Sequence, residues 1–166
     1  MGWMIYHHVP SDIRAEIVGL CSPHEVLQAS KVGSTWYVAA RLKGTEEVLA
    51  FVFLTQTRNG EWGYKDMDET MGPNEAKAPV GLLDLLTEPK NDYAARWRER
   101  CREWAARPRP KTGETWRLAT PVRFGGIEVQ TITKVDLPRR RGVWSHPAVG
   151  LLRLRPDQLV GAELIN

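Results

Sequence analysis

The run Val48–Thr57, VLAFVFLTQT, with Asn59-Gly60 close behind it, constrains this chain more than any other stretch. A segment this rich in Val, Leu and Phe reads as a strand in the middle of a sheet. Asn-Gly supplies two positions that tolerate a left-handed backbone, which is what a two-residue turn between antiparallel strands needs. Trp62–Lys65 then reads as the returning strand, so an antiparallel sheet is expected.

The neighbouring segments extend that sheet. Thr35–Leu42 is rich in aromatic and β-branched residues at its start and reads as a strand, with Lys43–Glu46 as a hairpin loop. Val26–Ala29 reads as a strand entry before a turn at Lys31–Ser34, and Trp3–Tyr6 as a short first strand. Ser11 is the candidate N-cap of a helix whose apolar stripe is Ile13, Ile17 and Leu20; Pro23 stops it. Val80–Leu86 reads as a short helix with Pro79 at its first turn. Asn91 or Asp92 starts a longer one, stopped after Arg107 by Pro108 and Pro110. Spacings of four, four and three put Tyr93, Trp97, Cys101 and Trp104 on one face. The arginines Arg96, Arg98, Arg100, Arg102 and Arg107 mostly fall on a basic outer face.

From Lys111 the texture changes to short strands: Thr115–Val122, Ile127–Val135, Val143–Ser145, Leu151–Leu154 and Ala162–Ile165. Gly125-Gly126 makes a hairpin turn, Pro138–Gly142 a charged loop, and Pro156–Leu159 a single helical turn. Such a series suggests a small SH3-like barrel. The expected fold class is therefore α+β. An α+β unit over residues 1–90 carries an antiparallel sheet with helices, residues 91–110 form a linking amphipathic helix, and residues 111–166 form the SH3-like β-barrel.

Charge divides along the same line. Residues 1–90 hold 8 Lys and Arg against 12 Asp and Glu, a balance of −4; residues 91–166 hold 15 against 8, a balance of +7. A basic half beside a mildly acidic one suits nucleic acid or an acidic protein surface. No apolar run approaches the ~20 residues that span a bilayer, so no membrane partner is expected. The start, MGWMIYHHVP, lacks a basic region followed by an apolar core, so no secretory signal and a cytoplasmic location are expected. Cys21 and Cys101 fall in different helices without metal-type spacing and read as reduced, packed thiols.

The densest chemistry lies in Trp62–Pro73, WGYKDMDETMGP. Tyr64, Lys65, Asp66, Asp68 and Glu69 are the candidate catalytic residues, placed where a strand is expected to end and turn outward. Clustered carboxylates hold divalent cations or divide acid and base roles. Asp66 and Asp68 point to one side of an extended segment and are the weak candidates for a metal, although no metal or other cofactor is expected. The competing reading is a loop whose carboxylates accept backbone N–H bonds and cap a turn. His7, His8, His24 and His146 show no zinc-type spacing, and no Walker loop, G-x-G-x-x-G, G-x-S-x-G or C-x-x-C occurs. Candidate residues for a nucleic acid or protein partner are Arg98 and Arg102 on the helix, and Arg139, Arg140, Arg141 and Trp144 downstream. Arginine with interleaved aromatics is the composition that holds phosphates and stacks bases.

GYKDMDETMGP, then Pro79, Leu82–Leu86 and Trp97-Arg98-Glu99-Arg100-Cys101, resembles an uncharacterised bacterial family carried largely on phages and plasmids. The N-terminal MGW and the Thr115–Phe124 region are similar to it as well. That resemblance implies no established activity; its mobile-element setting points to countering or adjusting host systems. The leading expectation is a non-enzymatic binding protein acting on a host protein or nucleoprotein complex, of the anti-defence type. A small enzyme acting on a nucleotide or nucleic acid through Tyr64–Glu69, with or without a metal, is the second, and a plain nucleic-acid-binding module the third.

Overall fold

In the computed structural model, Asn59 and Gly60 both take positive φ, 52° and 79°. They close the hairpin between β4 (Val48–Arg58) and β5 (Glu61–Asp68), paired from Arg58↔Glu61 to Phe51↔Asp68. The structure describes residues 2–138 and 140–166, except the side chain of Arg141. The chain divides into two compact units, one ending at Ala106 and the other Arg107–Asn166.

In the first unit the hairpin is the centre of a five-stranded antiparallel sheet, ordered β1-β5-β4-β3-β2. Its other strands are β1 (Met4–Tyr6), β2 (Glu25–Val32) and β3 (Thr35–Arg41). Side-chain alternation gives the central strands two apolar faces. Trp36, Val38, Ala40, Phe53, Trp62 and Tyr64 pack with Ile17 of helix α1 (Ile13–Leu20) and with Cys21, its C-cap. Tyr37, Ala39, Val48, Ala50 and Val52 pack with Leu82 and Leu83 of α2 (Val80–Leu83) and with Trp97 and Cys101 of α3 (Asp92–Ala106).

The strand after the hairpin is longer than the sequence implies. Met67, Asp66 and Lys65 stand opposite Val52, Phe53 and Leu54, so the ladder holds the acidic run as strand through Asp68. The chain turns only at a 3₁₀ turn, Glu69–Met71, closed by Gly72 at φ 64°. Asp12, not Ser11, caps α1, accepting the Ala15 N–H at 3.0 Å, because it directly precedes the first helical residue. Asn91 caps α3 through the Ala94 N–H at 2.9 Å. Helix α3 is rotated from the expected face: Ala94, Trp97, Arg98 and Cys101 are buried and Tyr93 is 63% exposed. With Trp97 and Cys101 in the core, α3 belongs to the first unit.

The second unit is also one antiparallel sheet, ordered β10-β6-β7-β8-β9. Its strands are β6 (Thr115–Phe124), β7 (Ile127–Leu137), β8 (Arg140–His146), β9 (Gly150–Arg153) and β10 (Glu163–Leu164), with a 3₁₀ turn at Pro156–Leu159. Leu118, Val129, Ile132, Trp144 and Leu152 form its core. Register shifts between Arg117 and Val122, and between Val135 and Leu137, interrupt the ladder; Pro121, which has no N–H to give, falls in the first. The expected barrel is not closed: β9 and β10 are the two edges, and no pairing joins them among the described residues. Among those residues no helix is long and apolar enough to cross a membrane.

Candidate functional site

The acidic run divides between β5, which ends at Asp68, and the 3₁₀ turn that carries Glu69. Glu69 is 0% exposed and meets Arg98, 5% exposed, in a bidentate pair. Arg98 Nε donates to Glu69 Oε2 and Nη2 to Oε1, each at 2.6 Å. Arg98 Nη1 donates to the Thr87 carbonyl, and Glu69 Oε1 also accepts the Ala50 N–H at 3.4 Å. A buried carboxylate is tolerable only when paired and hydrogen-bonded, and this one is both. Asp68 caps the 3₁₀ turn, accepting the Thr70 N–H at 2.8 Å and the Thr70 hydroxyl. Two of the five candidate catalytic groups are thus engaged within the fold.

The other three lie on the strand itself. Tyr64 is buried beside Tyr6 and Trp62, and burial pushes its phenol up to about 12, with Tyr6 and Asp66 adding to the shift. Asp66 is partly buried on the same side and near enough to Cys21 to add to the rise of that thiol, which burial pushes to about 11. Lys65, also partly buried, points to the opposite side by strand alternation. Neither Asp66 nor Lys65 makes an ion pair among the described residues. No group of three or more His, Cys, Asp or Glu side chains is placed to hold a metal among them. Cys21 and Cys101 are buried free thiols.

Arg98 and Arg102, chosen from sequence for their charge, come together for another reason. They line a cleft of about 390 Å³ between α3 and the segment that leads into it. Ala95, Arg98 and Arg102 form one wall, at spacings that share a helix face. Asp84, Thr87, Glu88 and Pro89 form much of the other. Arg98 is held at its base by Glu69, so it is not on an exposed basic face; Arg102 is exposed and has no ion pair among the described residues. Sequence reasoning missed Asp84, Thr87 and Glu88. The visible signal was the pair of arginines one turn apart; the missing one was that Glu69 would draw the first of them inward.

The remaining candidates are in the second unit. Arg140 is exposed. Trp144 is 2% exposed within the core, its ring under Lys134 Nζ at 5.6 Å, so it presents no face on which a base could stack. Arg139 and the side chain of Arg141 lie outside the described residues.

Residues 88–156 match a family described as a domain of unknown function, DUF6927. The match takes in α3 and β6 to β9 but stops short of the acidic run at 64–69, and it covers less than half of the chain. No curated protein and no solved structure matches the chain.

Proposed function

We propose that the protein works by contact, as a non-enzymatic binding protein of a phage or mobile element, on an acidic host protein or nucleoprotein complex. The observation that carries this reading is the charge of the second unit. Residues 107–166 hold 11 Lys and Arg against 5 Asp and Glu, a net of +6, whereas residues 1–106 hold 12 against 15, a net of −3. Arg117, Arg140 and Arg153 are exposed and make no ion pair among the described residues, so their charge is open to a partner. A surface of that sign attracts phosphates and carboxylates and speeds encounter with them. The mobile-element setting comes from the sequence resemblance. The engagement of Asp68 and Glu69 within the fold removes two of the groups on which the enzyme reading depends.

Affinity capture from a bacterial lysate tests this, using the full chain and its R117E/R140E/R153E variant, each with and without nuclease. The native chain should retain an acidic partner that salt releases, and the triple variant should lose it. Nuclease treatment separates a nucleoprotein partner from a protein one. Equal capture by both chains would overturn the reading.

A further inference from the structure

We propose that the cleft between α3 and residues 83–89 binds a small zwitterion of the α-amino acid class. The site lies in the first unit and does not depend on the arginines of the second, so it is separate from the binding role above.

The argument begins with unsatisfied donors. A guanidinium carries five N–H groups in a fixed plane. Arg98 uses three of them, two on Glu69 and one on the Thr87 carbonyl. One N–H on Nη1 and one on Nη2 have no acceptor among the described residues, although the side chain is more than nine-tenths buried. Arg98 lines the cleft, where an incoming oxygen can reach it. Buried donors without acceptors are the exception in folded proteins, and a carboxylate oxygen is the acceptor they suit best.

Charge then selects the ligand. Glu69 neutralises Arg98, which leaves Arg102 as the net positive charge on the α3 wall. Asp84 and Glu88 line the same cleft, both exposed, and neither forms an ion pair with Arg102 or any other cation among the described residues. Charges of both signs therefore line one cleft without neutralising each other. A simple anion would meet Asp84 and Glu88 unfavourably, and a simple cation would meet Arg102. A molecule with a carboxylate for Arg98 and Arg102 and an ammonium for Asp84 or Glu88 satisfies both. At about 390 Å³ the cleft is near the lower end of small-molecule sites, which suits a ligand of amino-acid size.

Isothermal titration of the full chain with a panel of α-amino acids tests the proposal, with succinate, inorganic phosphate and putrescine as single-sign comparators. At least one amino acid should bind saturably at one site and more tightly than every comparator. Arg102→Gln, and separately Asp84→Asn with Glu88→Gln, should each weaken it on the order of tenfold, the loss expected for one charge-assisted contact. These side chains are exposed and unpaired, so the melting temperature should stay where it was. Three results would overturn the proposal: no amino acid bound at millimolar concentration, phosphate, succinate or putrescine bound as well as any amino acid, or binding indifferent to either variant.

Discussion

Glu69 and Asp66 are the same kind of group three residues apart, yet they belong to different environments. Alternation along β5 and the turn after Asp68 send one toward α3 and leave the other on the α1 side. Removing the Glu69 charge leaves the Arg98 guanidinium buried without its counter-ion. Glu69→Gln should therefore destabilise the protein by about 3–5 kcal/mol, read from chemical denaturation. Replacing both partners by apolar residues, Glu69→Leu with Arg98→Met, should recover most of that loss, because no uncompensated charge remains. Asp68→Ala should cost about 1 kcal/mol, the usual worth of a turn-capping side chain. Asp66→Asn, with no ion pair to break, should leave the melting temperature nearly unchanged. If it abolished a turnover while doing so, the non-enzymatic reading would fail. The sequence made the acids visible as a cluster but could not sort them, because the partner that decides Glu69 lies 29 residues away.

At the scale of elements, legibility followed local chemistry. The β4–β5 hairpin could be read because Asn59-Gly60 sets a backbone conformation few other pairs accept, and the apolar run before it has nowhere to go but a sheet interior. The extension of β5 through Asp68 could not, since Asp is depleted in strands and only pairing with Phe53 and Phe51 holds Asp66 and Asp68 there. The rotation of α3 escaped for a related reason. Apolar spacing favoured the Tyr93 side, but Arg98 turned inward to Glu69 and set the buried face at Ala94, Trp97, Arg98 and Cys101. Two glycines give a controlled comparison of local and tertiary cost. At Gly60, φ is 79° and an added Cβ would meet nothing within 4 Å. Gly60→Ala should cost only the left-handed strain, about 1–2 kcal/mol. At Gly72, φ is 64° and the Cβ would lie 3.3 Å from Tyr93 Cδ1. Gly72→Ala should cost more than Gly60→Ala in the same denaturation experiment, because Tyr93 must move as well.

Across the whole molecule, the division of charge was legible by counting, while the closure of the second sheet was not. Short strands at regular spacing fit an open curled sheet as well as a barrel, and the β9–β10 pairing that separates the two depends on long-range geometry. The buried acids of the first unit also make a global property predictable. Burial raises Cys21 and Cys101 from 9.0 to about 11, with a smaller rise at Cys21 from Asp66, and raises Tyr37 and Tyr64 from 10.0 to about 12. Each group is neutral when protonated, so the folded state holds its proton more tightly than the unfolded chain does. The stabilisation is therefore complete below pH 9, where both states keep the proton. Above pH 9 the unfolded thiols ionise first, and the contribution is lost as pH rises through about 11 for the cysteines and about 12 for the tyrosines. The denaturation midpoint should fall steadily from pH 9 upward, and Cys21→Ala with Cys101→Ala should flatten that fall between pH 9 and 11. In the native protein both thiols should resist a thiol-specific reagent at pH 8 and react fully only in denaturant, because buried, protonated sulfur is a poor nucleophile. Rapid labelling of the folded chain at pH 8, or a midpoint indifferent to pH between 9 and 11, would mean that these side chains are reached by solvent.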